Sequence, residues 1–470
     1  MRREFQDVRM SNRSEFLFNP SEFQGPSPGE VAAEAEDAGV AGKPRLRVPR
    51  RDQVEMHWQS LDELLEPDHP ARVVWAAVCG LDLSRWLAEV KAVEGHVGRN
   101  GTDPRLLVAL WVFATLQGEG SARQLERLTR HHLAYQWLCG GVSVNHHLLS
   151  DFRSQGGDKW DELLTQIVAS LMAENLVTLQ RVAQDGMKVR ASAGKASFRR
   201  KARLEQCLVE AREQVATLRQ LADENPEELT RRQQAARERA AREREQRIEE
   251  AIRQCDELQQ EREVAAKKRG SEATAARAST TDPEARVMRF ADGGYRPGYN
   301  VQLATDVQSG VIVGVEVTNE GTDNEQLAPM LDQLEERYER SPKEMLVDGG
   351  FAALDAITDA ADNHHCTVYA PLKNEEKQVA AGSDPYARKK GDSQAVADWR
   401  ARMGTAAAKA IYTFRCQSAE WVNAIFRNRG LWQMPIRGQP KCRSVALIQA
   451  ITHNLLQAVK LRAEVAMNPS

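Results

Sequence analysis

The chain has 470 residues, of which 64 are basic and 67 acidic, and its net charge is −3. This length predicts two or three domains rather than a single core. The near balance of charge excludes a strongly basic protein, so any DNA-binding surface must come from local clustering of basic side chains. No apolar run approaches the ~20 residues of a membrane span, and the seven cysteines include no CxxC pair. We therefore expect a multidomain cytoplasmic protein with no membrane segment.

The first 180 residues divide into a tail and a helical domain. Residues 1–51 are rich in Pro, Gly, Glu and Ala with little periodicity, which predicts a disordered tail. Its basic end is either solvated tail or an arm that contacts DNA. Residues 52–180 have apolar side chains at helical spacing, which predicts an all-α domain. Good helix starts are found at Asp68-His69-Pro70, Asp103-Pro104, Ser121 and Asn145.

The two short helices predicted after Ser121 and Asn145 are typical of a DNA-binding segment. A break at Gly140-Gly141 separates them, and the second helix carries Arg153. A helix, a turn and a second helix with polar and basic side chains suit a helix-turn-helix. An ordinary helical hairpin explains the same pattern equally well.

Residues 199–275 differ in composition from the rest, because they are dense in Arg, Glu, Gln and Ala. Apolar residues recur in steps of four and three, as in Leu204, Leu208, Ala211 and Val215, which is the heptad pattern of a coiled coil. We predict a long antiparallel coiled-coil hairpin. Its charges nearly balance, which favours a solvated arm or a dimer contact over a DNA-binding groove.

Residues 181–198 and 276–460 have the pattern of an α/β domain interrupted by that hairpin. Residues 299–306 and 311–317 alternate between apolar and polar as two strands joined by a turn. Short apolar strands and helices follow in turn, beginning with residues 344–347. This order predicts a sheet of mixed direction.

Three acidic residues lie where chemistry is favoured. Asp185 is on a short β-like stretch, Asp348 follows a buried strand, and Glu420 is on a predicted helix whose Trp421 and Ala424 face inward. A carboxylate at a buried strand end is costly unless it is paired or bound to a metal ion, and Mg²⁺ prefers oxygen ligands. Two such ions can activate an attacking oxygen and stabilise a leaving one. The acids therefore fit phosphodiester cleavage, although strand-end aspartates are common in α/β proteins.

Short motifs occur in order along residues 52–460. They are Asp68-His69-Pro70-Ala71-Arg72, Asn145-His146-His147-Leu148-Leu149, Asp185-Gly186-Met187-Lys188-Val189, Val347-Asp348-Gly349-Gly350-Phe351 and the block of Tyr412, Arg415 and Glu420. Through them the chain resembles the DDE transposases of bacterial insertion sequences, in the InsH-like, IS-five-like superfamily. Met187 departs from the family pattern, in which a small polar residue such as Thr is more usual.

The resemblance implies a ribonuclease-H-like catalytic fold, with Asp185, Asp348 and Glu420 as catalytic residues and as ligands of two Mg²⁺ or Mn²⁺ ions. It implies that the helical domain binds the terminal inverted repeats of the element in double-stranded DNA. It further implies DNA cleavage, strand transfer to target DNA and a homodimer that joins the two ends at the bacterial nucleoid. The alternatives are an endonuclease of the same fold without strand transfer and a catalytically inactive, transposase-derived DNA-binding protein.

Several basic side chains near these motifs are candidates for contacts to DNA. They are Arg153, Arg415, Arg427, Arg429, Arg437, Lys441 and Arg443. For Arg415, which lies about one turn before Glu420, the resemblance favours a role in contacting phosphate or orienting the acid; the alternative is a structural ion pair. Binding through such a surface should weaken steeply with salt, because each phosphate contact releases counterions.

Overall fold

The computed structural model describes residues 58–92, 100–224 and 231–467, and the described residues from Ser60 onward form one compact unit. The predicted tail, residues 1–51, lies outside the described residues. None of the described helices is both long and apolar enough to cross a membrane.

The N-terminal region is helical, and the four helix starts predicted from the sequence are confirmed. His69, Asp103, Ser121 and Asn145 each accept a hydrogen bond from a backbone N–H two or three residues later, at 3.1, 2.8, 3.3 and 2.9 Å. The helices of this region are α1 (Pro70–Cys79), α2 (Ser84–Leu87), α3 (Pro104–Leu116), α4 (Ala122–His131), α5 (Leu133–Cys139), α6 (His146–Gln155) and α7 (Gly157–Ala173).

Helix α3 is the centre of this region, because all its residues from Leu106 to Thr115 are buried. A helix that is apolar on every side belongs in an interior, and α3 packs against α1 and α6. The Trp111 indole N–H donates to the carbonyl of Leu149 at 3.0 Å, which ties α3 to α6. The prediction of a simple turn between α4 and α6 is wrong, because helix α5 lies between them.

The α/β region contains a six-stranded sheet of mixed direction, as predicted. Its central strand β1 pairs antiparallel with β5 and parallel with β7. Strand β5 pairs on its far edge, away from β1, with β4 and β6. Strand β7 pairs in parallel with β8. The strands are β1 (Arg181–Arg190), β4 (Arg286–Arg289), β5 (Tyr295–Asp306), β6 (Ile312–Thr318), β7 (Glu344–Leu346) and β8 (Thr367–Tyr369), with a separate pair β2 (Phe198–Arg199) and β3 (Ala278–Ser279).

The helices that follow the hairpin of β5 and β6 cover the sheet and join it to the N-terminal region. They are α10 (Leu327–Tyr338), α11 (Leu354–Asp362), α12 (Glu375–Ala380), α13 (Gln394–Met403), α14 (Ala406–Tyr412), α15 (Trp421–Asn428) and α16 (Gln439–Met467). Helix α16 packs on β6 and also on α3 and α7. One hydrophobic core therefore runs through both regions, and the predicted boundary at residue 180 coincides with the start of β1.

Two long helices, α8 (Lys201–Glu224) and α9 (Arg231–Arg269), lie between β2 and β3 in the chain. They pack antiparallel, because Lys201 pairs with Asp256 near one end and Arg219 pairs with Glu238 near the other. The residues of the predicted apolar seams are buried or half-buried where the helices meet: Leu204, Leu208, Ala211, Val215, Leu218, Ile248, Ala251, Cys255 and Leu258. The antiparallel packing agrees with the sequence, and the coiled-coil assignment stays a prediction.

Candidate active site

Asp185 lies in the middle of β1, opposite Leu303 of β5, and its side chain is 16 % exposed. Its two carboxylate oxygens have different partners. Arg415 Nη2 donates to Oδ1 at 2.9 Å, and Asn423 Nδ2 donates to Oδ2 at 2.8 Å. Burial raises the pKa of Asp185 to about 6; the positive charge of Arg415 opposes this shift, and the negative charge of Asp348 adds to it. A second cation near Asp185 would therefore be stabilising.

The register of the parallel strands β1 and β7 places Asp348 near Asp185. Ala183 of β1 lies beside Leu346 of β7, and Asp185 and Asp348 each follow two residues later. The side chain turns back on its own loop, where Asp348 Oδ1 accepts the backbone N–H of Gly350 at 2.6 Å. Any side chain at position 350 would clash with this arrangement, because a Cβ there would lie 2.7 Å from that oxygen.

Glu420 is brought into line by an unusual turn. Residues Cys416–Glu420 form a π-helical turn directly before α15. In an α-helix, residues five apart point about 140° away from each other, whereas the wider π turn places them on one face. Arg415 and Glu420 are five residues apart, and Arg415 Nη1 donates to Glu420 Oε1 at 2.9 Å. The π turn therefore makes this ion pair possible.

The same turn corrects the face predicted for the helix. Trp421 and Ala424 were expected to face inward, but both are exposed, and Trp421 is 42 % exposed. Val422, Asn423 and Phe426 are the buried residues of α15. The extra residue in a π turn rotates the helix that follows it, which the apolar pattern alone did not reveal.

Arg415 is the residue around which the three acids gather. Only 7 % of it is exposed, and it forms ion pairs with Asp185 and Glu420. Burial lowers the pKa of Arg415, but the negative charges of Asp185, Asp348 and Glu420 and the nearby Tyr412 more than offset this, so its pKa is raised overall. The structure shows Arg415 paired with the acids, and its predicted contact with phosphate stays a prediction.

The comparisons with known families agree with this arrangement. Residues 59–155 match the family described as Transposase domain (DUF772), and residues 271–454 match the family described as Transposase DDE domain. The chain belongs to the DDE transposases. Asp348 and Glu420 lie within the second match, and Asp185 lies between the two matched segments and joins the site through the pairing of β1 with β5 and β7. No curated protein and no solved structure matches the chain.

Two residues that contact the site of this transposase were missed in the sequence. Asn423 holds one oxygen of Asp185, and its polar side chain on a buried helix face was the available signal. Asp323 lies against Gly186, on the other side of β1 from Asp185, and accepts the side-chain amides of Asn300 and Gln302 at 2.7 and 2.6 Å. A Cβ on Gly186 would come within 2.2 Å of Asp323 Oδ1, so the Asp-Gly motif needs its glycine.

The chemistry of these residues suits a divalent metal ion of the kind that DDE transposase domains use. The donors are carboxylate and amide oxygens, which Mg²⁺ prefers, and the buried Oδ1 of Asn423 has no hydrogen-bond partner among the described residues. In the part of the chain that is described, no three His, Cys, Asp or Glu side chains are close enough to share one ion. Arg415 pairs with two of the three acids, Asp185 and Glu420. Glu420, whose side chain is 51 % exposed, is the acid with most freedom to move.

The structure divides the basic residues predicted to contact DNA into two groups. Arg153 is buried, with 4 % of its surface exposed, so it is not part of an exposed basic surface. Arg443 is paired with Asp161 and Glu316 at 2.8 and 3.1 Å. Arg415 is committed to the acids, and Arg429 is largely enclosed, with a buried Nη1. Those that face solvent, fully or in part, are Arg427, Arg437 and Lys441.

Proposed function

We propose that this transposase binds the terminal inverted repeats of an insertion sequence of the InsH-like, IS-five-like superfamily, and that it cleaves and transfers DNA strands there. Asp185, Asp348 and Glu420 are the catalytic carboxylates in this proposal. The observation that carries it is their convergence on the buried Arg415. Acids that come from separate elements and gather around one positive charge are costly to bury. A structural role alone would not explain why three acids lie there.

The sheet supports a ribonuclease-H-like catalytic domain. In space the strands follow the order β6, β5, β1, β7, β8. Strand β5 is antiparallel to both β6 and β1, and β7 and β8 run parallel to β1, which is the arrangement that this fold name describes. In this proposal α8 and α9 form a coiled-coil insertion between the first strand and the rest of the domain, and serve as a solvated arm or a contact in a homodimer.

The catalytic step assigns a separate task to each described side chain. When bound, two Mg²⁺ or Mn²⁺ ions would activate the attacking oxygen and stabilise the leaving one. Asp185, Asp348 and Glu420 would hold them. Asn423 fixes the orientation of the Asp185 carboxylate, and Arg415 keeps the neighbouring negative charges from repelling one another. Glu420 and Arg415 would have to share their present ion pair with the metal.

The exposed basic residues support a DNA-binding surface that is smaller than the one predicted. Arg427 lies over the ring of the exposed Trp432, with its guanidinium carbon 5.9 Å from the ring centre, and Arg437 and Lys441 are exposed nearby in the chain. Three phosphate contacts give a slope of about −2.7 in a plot of log affinity against log salt concentration. A flat dependence would remove this surface from the proposal.

Cleavage of an end-labelled duplex that carries the inverted repeat flanking the gene is the test. With Mg²⁺ or Mn²⁺, wild-type protein should nick the repeat boundary and Asp348→Asn should not. Asp355→Asn is the matched control, because Asp355 is an exposed aspartate at the start of α11 and loses the same charge. Products joined to a target duplex would separate a transposase from an endonuclease. End binding without any metal-dependent product would identify an inactive descendant.

A further inference from the structure

A cavity of about 260 Å³ lies where the N-terminal helices meet the C-terminal part of the chain. On one side it is lined by Trp111 of α3 and by the turn that follows α3, and on the other by Arg429 and by Gln449 of α16. Arg153 of α6 completes the wall. The carboxylates around Arg415 do not line it, so it is distinct from the candidate active site.

Arg153 presents a buried guanidinium to this cavity. Its Nη1 donates to the carbonyl of Gly120 at 2.6 Å, and its guanidinium carbon lies 4.2 Å from the centre of the Trp111 ring. These contacts fix the group in place but supply no negative charge. Its Nε is buried without a hydrogen-bond partner among the described residues.

Arg429, from the end of α15, approaches the cavity from the opposite side. Its Nη1 is also buried without a hydrogen-bond partner in the described part of the chain. Burial lowers the pKa of both Arg153 and Arg429 to about 10. Cys442, which lies near Arg153, has its own pKa raised by burial, so it is an uncharged thiol at neutral pH. No ion pair to a described carboxylate is present for either arginine, in contrast to Arg415 and Arg443.

The other polar groups around the cavity supply less negative charge than the two arginines supply positive charge. The Oε1 of Gln449, which is 6 % exposed, has no hydrogen-bond partner among the described residues. Glu119 is the acid among the residues that line the cavity, and its Oε1 accepts the backbone N–H of Ser121 at 2.6 Å. Two guanidinium groups against one carboxylate leave the lining with a net positive charge.

The two halves of the wall are in close contact. Gly118 and Gly430 both have positive φ angles, of 75° and 84°, which side chains rarely adopt. A Cβ on Gly430 would lie 3.1 Å from the carbonyl oxygen of Gly118. The cavity therefore lies beside a close backbone contact between these two turns.

We propose that this cavity is a binding site for a phosphate-like oxyanion, held between Arg153 and Arg429. Buried charges in proteins are normally paired, and guanidinium groups bind phosphate oxygens through charge-assisted hydrogen bonds. The volume is just below the ~300–1,000 Å³ of pockets for drug-sized ligands, so it fits a phosphate group and a few water molecules. The site does not depend on the proposed catalytic function.

Thermal unfolding of the full chain in inorganic phosphate is the first test, with chloride at the same ionic strength as the reference. Phosphate at about 100 times its Kd should raise the Tm of the wild type by about 3 °C. Arg429→Gln should lose this shift. Arg340→Gln, which removes an exposed arginine far from the cavity in the chain, should keep it, and so should Asp348→Asn.

The wild-type measurement alone can overturn the proposal, even if a variant fails to fold. An equal Tm in phosphate and chloride would do so, as would an equal phosphate shift in Arg429→Gln and the wild type. A second arm identifies the source of the phosphate group. If a duplex carrying the inverted repeat competes with inorganic phosphate in the wild type, the ligand is a DNA phosphate. If both bind independently, the ligand is a free oxyanion.

Discussion

Two regions of this transposase bury arginine side chains, and they do so in opposite ways. Arg415 is buried between carboxylates, with Asp185 and Glu420 each at 2.9 Å. Arg153 is buried and Arg429 is half-buried with a buried Nη1, and both line a cavity with no described carboxylate paired to either. A buried charge that lacks its partner is strongly destabilising. The comparison therefore teaches that the first region pairs its buried arginine within the chain, whereas the arginines of the second region have no anionic partner among the described residues.

The difference also explains why charge counting in the sequence was a poor guide to DNA contacts. Seven basic residues were predicted to contact DNA, and their sequence positions are similarly close to the motifs. The structure commits Arg415 and Arg443 to acids and encloses Arg153 and Arg429. Exposure and pairing depend on tertiary packing, which a local pattern of basic residues does not specify.

The largest expected effect is the loss of Arg415. Replacing it with glutamine leaves Asp185 and Asp348 close together without a cation, and breaking a buried ion pair in this way costs about 3–5 kcal/mol. The free energy of unfolding should fall by that amount in urea denaturation, without metal, at neutral pH.

Arg212→Gln is the matched control for Arg415→Gln. Arg212 also forms two ion pairs, with Glu245 and Glu249, but its side chain is 58 % exposed. Surface pairs contribute about 0–1 kcal/mol. An equal decrease in the free energy of unfolding in the two variants would contradict the view that the acids depend on Arg415 for their burial.

The second effect concerns the pH dependence of stability. The pKa of Asp185 is raised to about 6 by burial, against about 3.9 in an unfolded chain. Between about pH 4 and pH 6 the folded chain therefore holds a proton that the unfolded chain has released, and its stability must fall as the pH rises through this window. Without metal, the wild type should lose about 2–3 kcal/mol relative to Asp185→Asn over this range.

Urea unfolding of both proteins at several pH values between 4 and 7 measures this difference. Other titrating groups contribute to both curves, so the informative quantity is the gap between them. Parallel curves would show that Asp185 is ionised in the folded protein throughout, with Arg415 outweighing its burial.

The sequence was sufficient for the elements of the fold and for the three acids. Capping residues such as Asp103 and Asn145 act within one turn of the chain, so their helix starts could be read locally. The alternating strands gave the mixed sheet, and the order of the motifs gave the family. Asp185 lies within β1 and Asp348 just after β7, each two residues beyond the paired residues Ala183 and Leu346, and the sequence had placed each acid at a strand.

The contacts that complete the site could not be predicted in the same way. The π turn at Cys416–Glu420 changes which side of α15 is buried, and a pattern that assumes 3.6 residues per turn misplaces Trp421 and Asn423. Asp323 and Gly186 are 137 positions apart in the sequence and come into contact only in the folded chain. No periodicity links such a pair.

The smallest expected effect is that of Arg429→Gln on the free energy of unfolding, and its sign is opposite to that of Arg415→Gln. It tests most directly whether the two buried-arginine regions differ. In phosphate-free buffer, Arg429→Gln removes a buried charge that has no partner, so the free energy of unfolding should stay within about 1 kcal/mol of the wild type or rise slightly. In saturating phosphate the order should reverse, because only the wild type gains the free energy of anion binding. Urea denaturation in both buffers measures this. If Arg429→Gln is as destabilising as Arg415→Gln in phosphate-free buffer, Arg429 has a partner within the chain, and the two regions are alike.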